Sequence, residues 1–175
     1  ERISNIVIMG IGEPLDNYDN IVKFLHNVNN ENGINIGYRH ITLSSCGVVS
    51  GIYKLAEEKL PITLTISLHA PNDKIRDTIM PINHKWNISE LMKACKVYAD
   101  TTGRRISFEY SLIHGVNDSI ENAKELARLI KPLHGHVNLI PVNKVEERDF
   151  HKGSAQDIRV FCDTLISLGI NATVR

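Results

Sequence analysis

Cysteine is scarce in this sequence, and the positions of the cysteines exclude two kinds of site. Cys46, Cys95 and Cys162 stand far apart, with no C-x-x-C or similar spacing. Disulfide frameworks and self-contained metal sites need several cysteines at short spacings. The sequence therefore predicts neither, and a reducing cytoplasm is the simplest compartment for its thiols.

An excess of charge and a long hydrophobic run are also missing. Twenty lysines and arginines balance twenty aspartates and glutamates, so the net charge gives no sign of nucleic-acid binding by itself. No apolar stretch is long enough to span a bilayer, and we expect no contact with a membrane. The length of 175 residues predicts one domain, residues 1–175, with one hydrophobic core.

The two ends of the sequence indicate a piece of a longer protein. The chain opens with Glu1 rather than methionine and stops at Arg175, within a predicted strand. We therefore expect a domain truncated at both ends. Because the true N-terminus is expected to lie outside this sequence, the lack of a signal peptide says little about whether the protein is secreted.

Short β-branched runs alternate with stretches of helical periodicity along the whole chain. Predicted helix starts include the cap pairs Asn87 with Glu90 and Ser154 with Asp157, the cap Asn72, and a start near Asp118 that buries Ile120. The predicted strands are residues 5–9, 41–44, 62–68, 106–113, 137–142 and 171–175.

This alternation predicts an α/β fold with parallel strands and right-handed crossovers, either a β/α barrel or a doubly wound sheet. In both architectures ligands bind at the carboxyl ends of the strands. Polar motifs at those ends are therefore the candidate site.

The first predicted strand ends in a glycine-rich segment, Gly10 to Leu15. The glycines allow close backbone approach, and Pro14 favours an extended conformation at Glu13. Such a segment presents carbonyls, and a carboxylate, to an ammonium group. An ordinary Gly-Pro turn is the alternative, and a third glycine of the dinucleotide fingerprint is missing.

Further polar residues follow the next strands. Ser44 stands at the end of the second strand, either as a helix cap or as a donor to a ligand such as a ribose. Ser67 and His69 alternate onto one face of the third strand, which points inward in a barrel. Glu109 is predicted to face inward from the fourth strand, where a carboxylate needs a partner, and Asn143 follows the fifth.

These motifs together resemble one enzyme family, the radical S-adenosylmethionine (SAM) RNA methyltransferases that act on adenine C2. The resemblance rests on segments in order along nearly the whole chain: residues 9–15 (MGIGEPL), 42–44 (TLS), 67–73 (SLHAPND), 80–83 (MPIN), 115–118 (GVND) and 138–141 (NLIP). A sister family that methylates adenine C8 is similar, but its glycine-glutamate and Ser-Leu-His motifs continue differently.

The resemblance implies a parallel β/α partial barrel, of the TIM-barrel type, with SAM across the strand ends. It implies that Gly12 and Glu13 contact the methionine amino group of SAM, and Ser44 its ribose or carboxylate region. It further implies contacts of Ser67, Leu68 and His69 with the adenosine side. Asn143 is implied to contact the adenine or carboxylate end.

The resemblance also implies partners that these residues do not hold. The family uses a 4Fe-4S cluster bound by a C-x-x-x-C-x-x-C loop, a methyl-carrying cysteine near its C-terminus, an electron donor such as flavodoxin or ferredoxin, and 23S rRNA and tRNA as substrates. None of the three cysteines matches those positions. We therefore expect the first barrel strand with its cluster loop, and the C-terminal cysteine segment, outside residues 1–175, and no methylation by the chain alone.

Two rival functions remain open on the sequence. One is an aldolase or isomerase barrel that uses a metal or acid/base catalysis through Glu109 and His69. The other is a non-catalytic RNA-binding domain built on a barrel, which the neutral net charge disfavours.

Overall fold

Six short parallel strands form the centre of the molecule. The computed structural model describes residues 3–143 and 150–175. Every end of these strands lies within one residue of its predicted position. The strands are β1 (Ile6–Ile8), β2 (Ile41–Ser45), β3 (Thr63–Ser67), β4 (Ser107–Leu112), β5 (His136–Pro141) and β6 (Asn171–Val174).

The order of the strands in the sheet follows their order in the sequence. β1 pairs with β2, and so on to β6, with every neighbouring pair parallel. A doubly wound sheet reverses its order at a switch point, whereas a sequential parallel order is that of a β/α barrel. The predicted α/β fold is confirmed. Of the two architectures that the sequence left open, a β/α barrel and a doubly wound sheet, the structure has the partial barrel.

Helices occupy the connections between the strands. They are α1 (Tyr18–Asn29), α2 (Val49–Glu57), α3 (Asp73–Ile79), α4 (Ile88–Thr102), α5 (Ile120–Ile130) and α6 (Ala155–Ser167). Asn87 with Glu90 and Ser154 with Asp157 form the predicted capping boxes. Asn72 caps α3 by accepting a hydrogen bond from the N–H of Ile75.

The predicted start of α5 near Asp118 is confirmed, but the predicted burial of Ile120 was wrong. Ser119 caps the helix, and the Asp118 carboxylate just before it accepts a hydrogen bond from the N–H of Gly115 at 2.9 Å. Ile120 is 45% exposed rather than buried, since it opens the first turn, ahead of the part of α5 that packs on the core.

The two faces of the sheet differ in polarity. One face packs against the helices and supplies fully buried residues such as Leu43, Ile66, Phe108, Val137 and Leu139. Cys95 and Cys162 are buried in the same core, as predicted.

The other face carries hydroxyl, amide and carboxylate groups. Across it, Ser44 pairs with Thr65, and Ser67, Glu109 and Asn138 stand side by side on β3, β4 and β5. This inner face is the one on which a barrel of this kind can hold a polar ligand. Within residues 3–143 and 150–175, no helix is of a length and apolarity that would cross a membrane.

Candidate functional site at the strand ends

One cavity at the carboxyl ends of β1, β2 and β3 joins three of the predicted motifs. It has a volume of about 320 Å³, and its lining includes Gly12, Glu13, Ser44, Cys46 and Ser67. The hydroxyls of Ser44 and Ser67 make no hydrogen bond to another described residue. Two free hydroxyls in a concave polar site are available to a ligand.

A second, more open groove continues from this cavity along the outer edge of β1. Its volume is about 630 Å³, and it shares Gly12, Glu13 and Pro14 with the first cavity. Its remaining lining is mostly apolar and includes Val7 and Phe24. The shared wall therefore separates a polar compartment from an apolar one.

The glycine-rich segment forms that shared wall. Gly12 adopts a φ of +122°, a left-handed conformation that residues with a Cβ rarely adopt. No described residue donates a hydrogen bond to the carbonyls of residues 10–12. Free carbonyls at the rim of a cavity suit a cationic donor such as an ammonium group.

The Glu13 carboxylate joins the β1 loop to the β2 loop. Its Oε1 accepts a hydrogen bond from the N–H of Leu15 at 3.0 Å, and its Oε2 accepts one from the N–H of Cys46 at 2.7 Å. Since a carboxylate has about four acceptor positions, each oxygen keeps one for a ligand. Glu13 therefore shapes the cavity and can still contact what binds there.

A buried arginine holds the ends of β2 and β3 from behind the cavity. The Arg76 side chain is 0% exposed. Its Nη2 donates to the carbonyls of Cys46 at 2.7 Å and Ser67 at 3.3 Å, and its Nε donates to the carbonyl of Leu68 at 3.1 Å. Burial lowers the pKa of the Arg76 guanidinium. Cys46 is thus fixed on both sides, by Glu13 at its N–H and by Arg76 at its carbonyl.

Arg76 is itself held by a polar cluster that sequence reasoning missed. Its Nη1 donates to Oδ1 of Asn83 at 2.9 Å, while Nδ2 of Asn83 donates to Asp73 and Asp77. Asn83 is 4% exposed. The MPIN segment belonged to the resemblance, and its asparagine was the signal that could have led to this cluster.

His69 lies next to the cavity rather than in its lining. β3 ends at Ser67, and His69 beyond it adopts a φ of +57°; the face that it was predicted to share with Ser67 stays a prediction. Its Nδ1 accepts a hydrogen bond from the N–H of Ser111 at 3.0 Å. Burial, aided by the charge of Arg76, lowers the pKa of His69 to about 4. The ring is therefore neutral near pH 7, with its proton on Nε2.

Asn117 connects the ends of β3 and β4, and it was noted from the sequence only within the segment 115–118 (GVND) of the resemblance. It is 0% exposed. Its Nδ2 donates to the carbonyls of His69 and Ser111, both at 2.7 Å, and its Oδ1 accepts from the N–H of Ile113 at 2.8 Å. The ends of β3 and β4 are consequently tied together by one side chain.

Leu68 and Asn143 complete the set of predicted contact residues. The Leu68 side chain is fully buried in the core, so only its main chain could face a ligand. Asn143 follows β5 and is exposed, but it is not in the lining of either cavity described above. Contacts of Leu68, His69 and Asn143 with SAM stay predictions.

The cysteines do not fit an iron-sulfur cluster. Among the residues that the structure describes, no three His, Cys, Asp or Glu side chains are grouped to hold a metal ion. Cys46 lies in the cavity, but burial and the neighbouring Glu13 raise the pKa of its thiol to about 12. Cys46 is therefore a neutral thiol at pH 7, and no step is assigned to it.

Comparison with known proteins agrees with the resemblance. The chain is 58% identical, over all of its length, to half of a protein from Clostridium perfringens named probable dual-specificity RNA methyltransferase RlmN. It is 57% identical to a protein of the same name from Clostridium acetobutylicum, over 100% of this chain and 51% of the relative. The chain thus spans about half the length of the curated relatives it matches.

Solved structures give the same picture. A radical SAM methyltransferase from Sphaerobacter thermophilus superposes with a TM-score of 0.96 at 46% identity, over 100% of this chain and 51% of that one. A domain of a pyruvate-formate lyase-activating enzyme from Bacteroides vulgatus superposes with a TM-score of 0.74 at 17% identity, over 99% of both chains. The second likeness shows the fold alone.

The family itself follows from a direct match. The model of the radical SAM superfamily matches residues 1–130, well over half of the sequence. The relatives support the methyltransferase interpretation of the motifs and give no support to an aldolase or isomerase. The chain belongs to the radical SAM superfamily.

Proposed function

We propose that the chain is the SAM-binding core of a radical SAM methyltransferase that acts on C2 of adenine in 23S rRNA and tRNA. The observation that carries the proposal is the cavity at the strand ends. It collects Gly12, Glu13, Ser44 and Ser67 from three strands around one space. The relatives named RNA methyltransferase supply the reaction class and the substrate class.

The carbonyls of residues 10–12 and the Glu13 carboxylate bind the methionine ammonium of SAM in this proposal. The carbonyls receive no hydrogen bond from a described residue, and each oxygen of Glu13 receives one and can accept another. An ammonium group has three N–H donors to offer them. Ser44 and Ser67 then hydrogen-bond polar groups along the rest of the cofactor. SAM, once bound, supplies the methyl group.

The chain's own residues contribute position and the exclusion of water. Arg76 and Asn117 act behind the cavity by fixing the main chain of Cys46, Ser67 and His69. A cofactor held at several points loses its freedom to move before reaction, and this lowers the barrier without chemistry by the protein.

The remaining parts of the enzyme are proposed to lie outside residues 1–175. They include the cysteines of a 4Fe-4S cluster and the cysteine that carries the methyl group, because the three cysteines present fit neither role. A flavodoxin or ferredoxin as electron donor, and a cytoplasmic location, complete the proposal.

The test is a methylation assay with the full-length protein. It is reconstituted with iron and sulfide without oxygen, then incubated with SAM, a reductant and unmodified 23S rRNA or tRNA. Mass spectrometry of the digested RNA is expected to detect 2-methyladenosine. Detection of 8-methyladenosine alone, or of unmodified RNA beside a fully loaded cluster, would contradict the proposal.

Variants link this activity to the cavity. Ser44→Ala and Ser67→Ala each remove one free hydroxyl and are expected to raise the KM for SAM about 5- to 10-fold, the loss of about one hydrogen bond. Ser167→Ala, at the exposed end of α6, is the matched control. If the KM values for SAM of Ser44→Ala and Ser67→Ala equal that of the control Ser167→Ala, the SAM site lies elsewhere.

A further inference from the structure

An acceptor without a donor lies on the inner face of the sheet, beside the proposed SAM site. Glu109 is 3% exposed. Its Oε1 accepts a hydrogen bond from Nδ2 of Asn138 at 3.0 Å and lies 3.9 Å from the guanidinium of Arg175. Its Oε2 is buried and has no hydrogen-bond partner among residues 3–143 and 150–175.

The unpaired Oε2 of Glu109 destabilises the folded protein unless another group donates a hydrogen bond to it. A buried carboxylate oxygen that lacks a hydrogen bond loses its hydration and receives nothing in return. Asn138, His136 and Thr173 hydrogen-bond one another, and neither the Ser67 hydroxyl nor the Arg175 guanidinium donates to Oε2. A ligand bound on the inner face of the sheet can supply the missing donor.

The position of Glu109 points to a ligand in the barrel. Glu109 on β4 pairs directly with Ser67 on β3, and Ser67 lines the cavity. Neighbouring strands are about 4.8 Å apart, so a ligand atom above Ser67 lies within a few ångströms of the carboxylate.

The same spacing decides which part of SAM arrives there. β4 is three strands from β1, a separation of about 14 Å at 4.8 Å per strand, and the ammonium is proposed to bind at the end of β1. The ammonium therefore cannot also contact Glu109. The donors at the other end of SAM are the two ribose hydroxyls and the adenine amino group.

We propose that Glu109 accepts a hydrogen bond from a ribose hydroxyl of the bound cofactor. Paired hydroxyls on a ribose are a common partner of an acidic side chain in nucleotide sites. Ribose is also the part of the nucleoside that offers two adjacent donors to a carboxylate. This inference rests on the proposed SAM site and adds a residue that the sequence motifs did not assign to it.

Ligand analogues and one substitution test the proposal together. The binding of S-adenosylhomocysteine and of its 2′-deoxy and 3′-deoxy analogues is measured by calorimetry on the full-length, cluster-loaded protein and on Glu109→Gln. The wild-type protein is expected to bind one deoxy analogue about 10- to 100-fold more weakly, the range for a hydrogen bond to a charged group. In Glu109→Gln the affinities for the ribose and deoxyribose forms are expected to differ by no more than about 3-fold, because the hydroxyl then no longer donates to a charged group.

The substitution is chosen to keep the structural role of the side chain. A glutamine side chain in this place still has a carbonyl oxygen for Asn138, and it replaces only the free acceptor by a donor. A variant that failed only through misfolding would lose affinity for all three ligands equally and keep their ratios. If Glu109→Gln does not fold, Glu109→Asp retains the carboxylate at a shorter reach and is expected to reduce the same ratio.

The outcomes separate this inference from the proposed function. Equal binding of all three ligands by the wild-type protein, or an unchanged ratio in Glu109→Gln, would overturn the ribose contact and leave the SAM site intact. A fourth ligand, S-inosylhomocysteine, lacks the adenine amino group. If the wild-type protein discriminates against it but not against the deoxy analogues, and Glu109→Gln does not, the ribose contact is overturned and Glu109 belongs to the adenine amino group. No binding of S-adenosylhomocysteine at all would overturn the SAM site itself.

Discussion

The N–H of Cys46 donates a hydrogen bond of 2.7 Å to Oε2 of Glu13, although 33 residues separate them in the sequence. The other oxygen of the same carboxylate accepts from Leu15. A single side chain thus connects the loops after β1 and β2 at the wall of the cavity. An enzyme that must bind one cofactor at several strand ends needs such connections, because each loop alone is free to move.

Glu13→Ala is therefore expected to weaken SAM binding more than the loss of one contact would. The substitution frees the Cys46 loop as well as removing an acceptor, and we expect a loss of at least about 30-fold, equivalent to about 2 kcal/mol. Glu13→Gln keeps one acceptor oxygen and should lose less. Equilibrium dialysis with labelled SAM gives both values, and equal losses in the two variants would disprove the connecting role.

Arg76→Met is expected to destabilise the fold. It leaves the carbonyls of Cys46, Ser67 and Leu68 buried without their donor, and disruption of such a buried charged network costs about 3–5 kcal/mol. Arg39→Met, at an exposed arginine, should change the free energy of unfolding by less than about 0.5 kcal/mol. Urea denaturation of both variants of the full-length protein measures the difference, and similar values would refute the network's contribution.

The neutral His69 ring predicts a pH dependence of stability. Its pKa of about 4 lies below the ordinary value of 6.5, so between these pH values the unfolded chain binds a proton that the folded chain does not. The free energy of unfolding should fall as the pH is lowered from 6.5 to 4, by up to about 1.4 kcal/mol per pH unit from this group. His69→Asn, which tolerates the left-handed backbone, should show a shallower fall.

NMR gives an independent reading of the same group. The ring signals of His69 should keep their neutral shifts down to about pH 5, because the folded-state pKa lies near 4. A titration midpoint of His69 near 6.5, the ordinary value, would contradict the burial argument, whatever the stability data show.

Asn117→Asp tests the amide that joins β3 and β4. Its Nδ2 donates to two carbonyls, and a carboxylate in that place would set an acceptor against two others in a buried site. We expect a loss of about 3 kcal/mol or more, at least as large as for Asn117→Ala. Asn20→Asp, on the exposed side of α1, is the control. If Asn117→Asp has the same free energy of unfolding as the wild type, the two hydrogen bonds from the amide do not stabilise the fold.

The strands and their polar ends could be predicted because their signals are local. Alternation of apolar and β-branched residues located all six strands, and the two capping boxes, Asn87 with Glu90 and Ser154 with Asp157, marked helix starts. Gly12, Ser44 and Ser67 were found because parallel strands bring their carboxyl ends to one rim. These inferences needed only the order of elements.

The supporting residues were missed because their partners are main-chain atoms of other strands. Arg76 stands in a short helix where an arginine is ordinarily exposed, and only the folded chain shows three carbonyls around it. His69 lies outside the cavity lining, and its positive φ beyond the end of β3 had no signal in the alternation. Glu109 was suspected as an inward carboxylate, but its partner Asn138 required the register of β4 and β5.

The central claim is that side chains from separate strands surround one SAM molecule. A crystal structure of the full-length, cluster-loaded protein with SAM tests it most directly. We predict the methionine ammonium within hydrogen-bond distance of the carbonyls of residues 10–12, with Ser44 and Ser67 along the cofactor. SAM bound on another surface, with these hydroxyls facing water, would contradict the account.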